Sequence, residues 1–392
     1  MKNCYSIFWV VACSVCLLSG CGGGGGTVAA GTGTGSVNQV WQQVVLDVGM
    51  LAGGTNIEGI YAAKDSYLYV STSVHGTWRA KVTDIRANPA SVGWTRIDAG
   101  FPNDPVHGGT SYILTWAEDS SGNLFGSIGV GVQGAPCTSC VVGKWNGSIW
   151  TFSNNPAGTR TSIEALAFDG SGNLFINDRS GGFYESTDGG KTFGGALVSN
   201  AYVKFGQPSG YVFTNAILNG QMYWGGEGPY MRSPLDFSTG AVIQGATGFT
   251  GNATAFASDG TASIAPTYII AAGRCDPTGY CMQRYLGSTN IWTNLGAKEG
   301  IPQYVGFGRG KLVNGSVVGE YFASFRAAGA SGGGGVIRSA DGGQTWSNYN
   351  TGLPLIEQSF AGRITVDPLT DSKFVEVALS GTGGGLEVWY HP

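Results

Sequence analysis

Two aspartates, Asp188 and Asp341, lie in closely similar octapeptides, Ser-Thr-Asp-Gly-Gly-Lys-Thr-Phe and Ser-Ala-Asp-Gly-Gly-Gln-Thr-Trp. Paired carboxylates can act as the general acid and base of a hydrolase, so these two residues are the first candidates for chemistry. The Asp-Gly step in both octapeptides is also a signal for a tight turn. No nucleophile-elbow, phosphate-loop, zinc-protease or calcium-loop motif accompanies them, so the sequence offers no second catalytic pattern.

Four of the eight cysteines form two local pairs, Cys137 with Cys140 and Cys275 with Cys281. In an oxidising compartment each pair is expected to close a disulfide within its own loop. A redox-active Cys-x-x-Cys would open a helix beside a βαβ pattern, and the sequence has no such pattern. Because the chain has only three histidines, a zinc site is also disfavoured. We expect no metal and no cofactor.

The elements that must position these residues are predicted from an internal repeat. The segments Asp-Ser-Ser-Gly-Asn-Leu-Phe from Asp119 and Asp-Gly-Ser-Gly-Asn-Leu-Phe from Asp169 are 50 residues apart, and the two octapeptides are 153 apart. A unit of about 50 residues therefore recurs. Each unit contains an apolar alternating strand, an Asx-Gly turn, a second strand, a variable loop, a third strand, an Asp-Gly turn and a short fourth strand. This order predicts a four-stranded antiparallel sheet, one blade of a β-propeller.

Six such units fit the chain, and a seventh begins at Ser359 and stops one strand short. Residues 40–46 have the apolar alternation of an outer strand and are expected to pair with the stretch around Val388, which would remove both free sheet edges. We therefore predict an all-β fold, a single seven-bladed β-propeller of four-stranded antiparallel blades closed by an N-terminal strand. The predicted blades cover residues 56–104, 110–156, 161–200, 202–249, 252–299, 302–353 and 359 onward.

Composition supports a strand-rich fold. Charged residues make up 12% of the chain, aromatics also make up 12%, and the 68 glycines far outnumber the 14 prolines. Sparse helix formers argue against helical bundles and α/β folds. The net charge of -4 supplies no basic stripe for phosphates, so nucleic acid is not an expected partner.

The N-terminus has the pattern of a targeting segment. Lys2 precedes an apolar run over residues 7–18, and Leu-Ser-Gly-Cys follows, ending at Cys21. This sequence resembles the lipobox of bacterial lipoproteins, which implies cleavage before Cys21 and a palmitate-bearing lipid anchor on it. Gly22 then implies sorting to the outer membrane or cell surface. The predicted domains are a signal peptide (1–20), a glycine-rich tether (21–36) and the propeller (37–392). The alternative is a plain secretory signal.

The two octapeptides resemble the Asp-box (BNR repeat) of sialidases, xyloglucanases, sortilin-type receptors and photosystem II assembly-factor propellers. Degenerate copies lie at residues 145–150 and 286–292. The resemblance implies that the Asp accepts hydrogen bonds from turn amides, that the Gly adopts positive φ, and that the aromatic residue packs between blades. The residues given this structural role are Ser186, Asp188, Gly190, Thr192, Phe193, Ser339, Asp341, Gly343, Thr345 and Trp346.

Propeller ligands usually bind at the face formed by the loops between second and third strands and by the loops that join consecutive blades. Both cysteine pairs fall in these loops, and stapled loops lose less entropy on binding. The disulfides could equally serve only to protect long exposed loops. The candidate ligand residues on this face are Ser73, His75, Asp104, His107, Asp178, Arg179, Glu227, Arg274, Asp276 and Tyr280.

Enzyme hypotheses are weaker than binding hypotheses. The chain lacks the sialidase Arg-Ile-Pro signature and has few arginines on the candidate face. Residues 68–79 are similar to a xyloglucanase segment, but Ser73 stands where that family has its catalytic Asp, and a hydroxyl cannot replace a carboxylate base. Asp178 keeps a carboxylate in a different blade. We predict no catalytic residues and a lipid-anchored, extracytoplasmic protein-binding or assembly module for an unknown protein or glycan. The alternative is a glycan-binding or divergent glycoside hydrolase propeller.

Overall fold

The described part of the computed structural model consists of β-strands and one short helix, α1 (Val82–Ala87). The predicted signal peptide and tether, with Cys21, lie outside the described residues. The described residues are 40–51, 56–103, 110–129, 137, 139–156, 162–179, 182–197, 211–218, 220–227, 235–236, 241–242, 252–259, 266–275, 279–289, 291–295, 301–313, 316–326, 334–355, 361–378 and 386–392.

The strands form consecutive antiparallel sheets of neighbouring chain segments. After β1 (Gln42–Val44), the first three sheets comprise β2 (Ile57–Ala62), β3 (Tyr67–Thr72), β4 (Gly76–Lys81) and β5 (Thr95–Arg96); β6 (Ile113–Glu118), β7 (Leu124–Ile128), β8 (Val141–Trp145) and β9 (Trp150–Phe152); and β10 (Ile163–Phe168), β11 (Leu174–Asp178) and β12 (Phe183–Ser186).

The second half of the chain continues the same arrangement. Its sheets comprise β13 (Tyr211–Leu218), β14 (Gln221–Glu227), β15 (Leu235–Asp236) and β16 (Ala241–Val242); β17 (Asn252–Ser258), β18 (Tyr268–Cys275), β19 (Gly279–Leu286) and β20 (Ile291–Asn294); β21 (Ile301–Val313), β22 (Ser316–Arg326), β23 (Gly335–Ser339) and β24 (Ser347–Asn348); and β25 (Ala361–Val366), β26 (Lys373–Ala378) and β27 (Leu386–His391) with β1.

The innermost strands of the sheets contact one another, and in the last sheet the innermost strand is β25. Strand β2 contacts β6, β6 contacts β10, and the series continues through β13, β17 and β21 to β25, which contacts β2 again. The sheets therefore follow one another around a closed ring, which is a β-propeller. Apolar clusters fill the spaces between adjacent sheets, such as the one that joins Ile60, Val70 and Trp78 of the first sheet to Phe374 and Val388 of the last.

The prediction of seven four-stranded blades is wrong. Within the described residues, six sheets have four strands, and the sheet of β10, β11 and β12 has only three. After Phe193 the chain runs through Gly194 and Gly195, and glycine is a poor strand former with no side chain to pack. Where a fourth strand was expected, the N–H of Leu197 donates a single backbone hydrogen bond to the carbonyl of Phe183 (2.8 Å).

The last sheet is completed by the N-terminal strand, the pairing that the alternation at residues 40–46 predicts. Gln42 lies opposite Tyr390, and Val44 lies opposite Val388. Trp41, which is 2% exposed, anchors this closure, because its indole N–H donates to the carbonyl of Tyr349 (2.5 Å) in the preceding sheet. The ring is thus held together by two segments from opposite ends of the chain.

Turns are set by local side-chain acceptors, which explains why they recur so regularly. In the Ser186 turn (186–193), the carboxylate of Asp188 accepts hydrogen bonds from Ser186 Oγ (2.7 Å), the N–H of Thr192 (2.9 Å) and Thr192 Oγ1 (2.5 Å). Ser186 Oγ in turn accepts from the N–H of Gly190 (2.9 Å). The Ser339 turn (339–346) repeats this network.

Candidate functional site

We call the face at which the inner strands begin the upper face, and the face at which they end the lower face. The loops between second and third strands reach the upper face because adjacent strands are antiparallel. Cys137 and Cys140 form a disulfide there, between β7 and β8, and both are buried. Cys281 is also disulfide-bonded. The side chain of its predicted partner, Cys275, lies outside the described residues.

In the first blade, Ser73 is structural rather than solvent-facing. It is 4% exposed, and its Oγ accepts from the N–H of Asn56 (3.1 Å), while its own N–H donates to the Asn56 carbonyl (3.0 Å). This exchange fastens the chain that enters β2 to the β3–β4 loop. His75 is half-buried, and its carbonyl accepts from the indole N–H of Trp78 (2.8 Å).

In the third blade, Asp178 closes its own hairpin. Its carboxylate accepts from the N–H of Gly182 (2.9 Å) and from Tyr184 Oη (3.2 Å), and the side chain is 2% exposed. Arg179 is half-buried, and its N–H donates to the carbonyl of Ser162 (3.1 Å). Asp178 thus orients the loop that presents Arg179.

The other predicted ligand residues are only partly described. Asp104, His107 and Asp276 lie outside the described residues. Glu227, Arg274 and Tyr280 belong to strands β14, β18 and β19, but their side chains lie outside the described part.

Sequence reasoning missed a charged cluster toward the upper face, which we call the mouth cluster: Glu164 on inner strand β10, Arg363 on inner strand β25 and Glu376 on the adjacent strand β26. Arg363 Nη1 donates to Glu376 Oε2 (3.4 Å) and to the carbonyl of Ile57 (3.2 Å) in the neighbouring blade. Ser162 Oγ donates to Glu164 Oε1. These residues lie within strands, and an acidic residue at an alternating position of a strand is ordinarily taken to face solvent, which is why the sequence did not indicate the cluster. The available signal was Glu376 itself, a carboxylate inside the apolar strand Lys-Phe-Val-Glu-Val-Ala.

Burial dominates the electrostatics of this cluster. It raises the pKa of Glu376 to about 7, although Arg363 opposes the shift, and the nearby Glu58 adds to it. Burial also raises the pKa of Glu164, and the hydrogen bond from Ser162 and the charges of Arg179 and Arg363 act against that rise. Arg363 therefore influences two carboxyl groups from different blades, one of which titrates near neutral pH.

Two further observations concern membranes and metals. In the described part of the chain, no helix is both long and apolar enough to cross a bilayer. Among the same residues, no three His, Cys, Asp or Glu side chains are grouped so that they could hold a metal ion.

The fold places the chain in the β-propeller class, and comparison with solved structures agrees. The chain is similar to U3-55K, with a TM-score of 0.57 and 11% identity over 91% of this chain and all of that one. It is also similar to a GH74 enzyme from Niastella koreensis, with a TM-score of 0.55 and 19% identity over 88% of this chain and 55% of that one.

A third similar structure is the extracellular domain of a one component system, BT4673, from B. thetaiotaomicron. Its TM-score is 0.50, with 13% identity over 86% of this chain and 41% of that one. No protein-family model and no curated protein sequence matches the chain. At these identities the likeness defines the fold, and the proteins that share it have different roles.

Proposed function

We propose that this chain is an Asp-box β-propeller that binds a protein partner through its upper face and catalyses no reaction. The observation that carries this proposal is that four upper-face carboxylates already have partners within the protein. Arg96 holds Asp98 in a two-pronged ion pair (2.8 and 2.9 Å), the hairpin amide and Tyr184 hold Asp178, Ser162 holds Glu164, and Arg363 holds Glu376.

A catalytic carboxylate must reach the substrate atom to which it donates or from which it accepts a proton. Asp98, Asp178 and Glu376 are 6%, 2% and 5% exposed, so substrate in solvent has little access to them. Besides Glu164 and Arg363, the half-buried side chains described on this face include His75 and Arg179, which belong to loops of two different blades. Arginine is enriched at binding hot spots, and preorganised loops lose less entropy on association.

Site-directed crosslinking tests the binding proposal. A photo-reactive amino acid would replace His75 or Arg179 on the upper face, and Lys191, an exposed residue of the Ser186 turn, would serve as the lower-face control. In native membranes, the upper-face positions should yield the same discrete adduct, and the control should not. Adducts from Lys191 alone, or none from either upper position, would contradict upper-face binding.

A divergent glycoside hydrolase is the second candidate, because the mouth cluster contains two carboxyl groups with raised pKa values. A carboxyl that is protonated near pH 7 can serve as a general acid while a second carboxylate acts as base or nucleophile. The fold similarity to a GH74 enzyme is consistent with this candidate. A screen of glycosides with the wild type, Glu164→Gln and Glu376→Gln distinguishes the binding module from the hydrolase. Turnover by the wild type that is lost in both variants would establish a hydrolase.

We also propose that the propeller is held at the bacterial outer membrane or cell surface by lipid on Cys21, in line with its lipobox-like sequence. Strand β1, the outer strand of the last blade, is the first strand of the described chain after the predicted tether. Labelling cells with a palmitate analogue should mark the wild type. Cys21→Ser should lose the label and leave the membrane fraction, and a labelled Cys21→Ser chain would refute the assignment.

A further inference from the structure

A pocket of about 350 Å³ opens on the lower face, at the opposite end of the ring from the mouth cluster. It lies where β2 and β25 end and where Glu118, the last residue of β6, reaches across. Its volume is at the small end of the range for ligand sites, about 300 to 1,000 Å³. The lining residues are Ile60, Tyr61, Ala62, Lys64, Glu118, Ile364, Thr365, Val366 and Pro368.

One side of the pocket carries two opposite charges on a fixed frame. Glu118 Oε1 accepts from the backbone N–H of Lys64 (2.9 Å), and Glu118 Oε2 accepts from Tyr61 Oη (3.1 Å). Tyr61 is stacked on Trp116, with ring planes 12° apart, so the carboxylate is held by a ring that is itself packed. The Lys64 side chain is exposed beside this carboxylate.

The other side of the pocket is apolar. Ile60 and Ile364 are 6% and 8% exposed, and Val366 and Pro368 continue the wall toward solvent. Thr365 Oγ1 accepts from the N–H of Ala62 (3.1 Å) and so joins the last blade to the first. The pocket therefore pairs one charged rim with one aliphatic wall.

Glu118 is influenced by the neighbouring charges of Lys64 and Asp65. Burial raises the pKa of Glu118, and the charge of Asp65 adds to the rise, whereas Lys64 and Tyr61 lower it only in part. A ligand ammonium group beside Glu118 would favour the charged form of this carboxyl group. A ligand carboxylate would at the same time satisfy the exposed ammonium group of Lys64, because oppositely charged groups form the stronger hydrogen bonds.

We infer that the lower-face pocket binds a zwitterionic amino acid with an aliphatic side chain: its ammonium group on Glu118, its carboxylate on Lys64, and its side chain against Ile60, Ile364 and Val366. This site is independent of the binding proposed for the upper face. All three features are needed together. Glu118 alone would suit an amine, Lys64 alone a fatty acid, and the apolar wall alone a neutral molecule.

Titration calorimetry with four probes tests the inference on the full-length chain. L-leucine carries all three features, 4-methylpentanoate lacks the ammonium, 3-methylbutylamine lacks the carboxylate, and glycine lacks the side chain. Leucine should bind with a Kd below about 1 mM, and each truncated probe should bind at least about tenfold more weakly. Equal affinity for all four probes, or tighter binding of a truncated probe than of leucine, would overturn the proposal. Absence of leucine binding at about 10 mM, tenfold above the expected upper limit of Kd, would overturn it as well.

Two variants separate a role in the pocket from a role in folding. Lys64→Met and Glu118→Gln should each weaken leucine binding about 10- to 100-fold, the range for losing a hydrogen bond to a charged group. Lys81→Met, at an exposed lysine at the end of β4, is the matched control and should bind leucine as the wild type does. Because Lys64 is exposed, Lys64→Met should also keep the wild-type melting temperature. Unchanged affinity in Lys64→Met and Glu118→Gln would refute the site.

Discussion

The Ser186 turn and the Ser339 turn have the same network of hydrogen bonds but lead to different structures. The Ser–Asp, Gly–Ser and Thr–Asp bonds agree to within 0.1 Å between them. After the Ser339 turn, Ser347 and Asn348 pair with Arg338 and Ile337 to form a fourth strand. After the Ser186 turn, Gly194 and Gly195 follow, and the described residues form no fourth strand.

The comparison separates what the turn determines from what its surroundings determine. A carboxylate that accepts three or four nearby donors sets the course of its own loop through local hydrogen bonds. A fourth strand requires side chains that favour extended pairing and pack against the third strand. The octapeptide therefore specifies a turn, and the residues that come after it decide whether the blade is completed.

The largest effect is expected from adding a methyl group at the glycine three residues before the aromatic residue, where the two turns differ in packing. Gly190 and Gly343 both have positive φ, 81° and 83°. A Cβ at Gly343 would lie 2.3 Å from Ile270 Cδ1, whereas at Gly190 the nearest atoms, on Leu174 and Phe125, are 3.1 Å away. Gly343→Ala should therefore destabilise by about 2 to 4 kcal/mol, the sum of backbone strain and overpacking.

Gly190→Ala is the matched variant and should lose mainly the backbone part, about 1 to 2 kcal/mol, because its neighbours at 3.1 Å need to shift only slightly. Urea unfolding of both variants measures the difference. Equal losses would mean that Ile270 moves aside and that the packing around the two turns is equivalent.

Removing the turn serine should have a smaller and equal effect in the two turns. Ser186 and Ser339 are each 1% exposed, and each hydroxyl accepts from a glycine N–H at 2.9 Å. Alanine leaves that buried N–H without its acceptor, which costs about 1 to 3 kcal/mol. Urea unfolding of Ser186→Ala and Ser339→Ala should give values within about 0.5 kcal/mol of each other. A larger gap would show that the fourth strand reinforces its turn.

These turns were the part of the fold most open to prediction, because the Ser and Asp acceptors and the donors that they bind lie within eight consecutive residues. The closing strand at residues 40–46 was also predictable, from apolar alternation and a blade that lacked one strand. The three-stranded blade was not predicted, because the repeat template assigns a fourth strand by position and ignores Gly194 and Gly195.

The candidate site was less accessible to sequence reasoning for a related reason. Ser73 and Asp178 have the polarity of ligand residues, but each is buried and completes a loop that only the folded chain assembles. Glu164 and Glu376 occupy strands in different blades, and only closure of the ring brings both under the influence of Arg363. Local patterns predict local hydrogen bonds, whereas the mouth cluster depends on contacts between distant segments.

Acid should weaken both turns, and the direction follows from their carboxylates. At Asp188 the Thr192 hydroxyl and amide and the Ser186 hydroxyl lower the pKa. At Asp341 partial burial raises the pKa, but the bonds from Thr345, Ser339 and Gln344 together lower it more. A lowered folded-state pKa gives stability that is present above the unfolded value of 3.8 and is lost as pH falls through the folded value.

Urea unfolding at pH 7 and pH 3 checks this acid sensitivity. The double variant Asp188→Asn/Asp341→Asn should lose less stability between the two pH values than the wild type does. Asp341 should account for about 0.5 to 1 kcal/mol of the difference, since solvent screens a largely exposed carboxylate. If the wild type and the double variant lose the same amount, other carboxylates govern the acid response.

The smallest effect, and the one that tests the comparison most directly, is expected from Gly194→Ser/Gly195→Asn, which copies Ser347 and Asn348 into the three-stranded blade. No heavy atom lies within 4 Å of a Cβ built at either glycine, and neither has positive φ, so the side chains fit without strain. Lower chain entropy in the unfolded state should stabilise the protein by about 0.5 to 1 kcal/mol. Slower amide hydrogen exchange at Leu197 would show that strand pairing has extended beyond its bond to Phe183. A destabilised variant with faster exchange there would mean that neighbouring blades, and not the two glycines, prevent the fourth strand from forming.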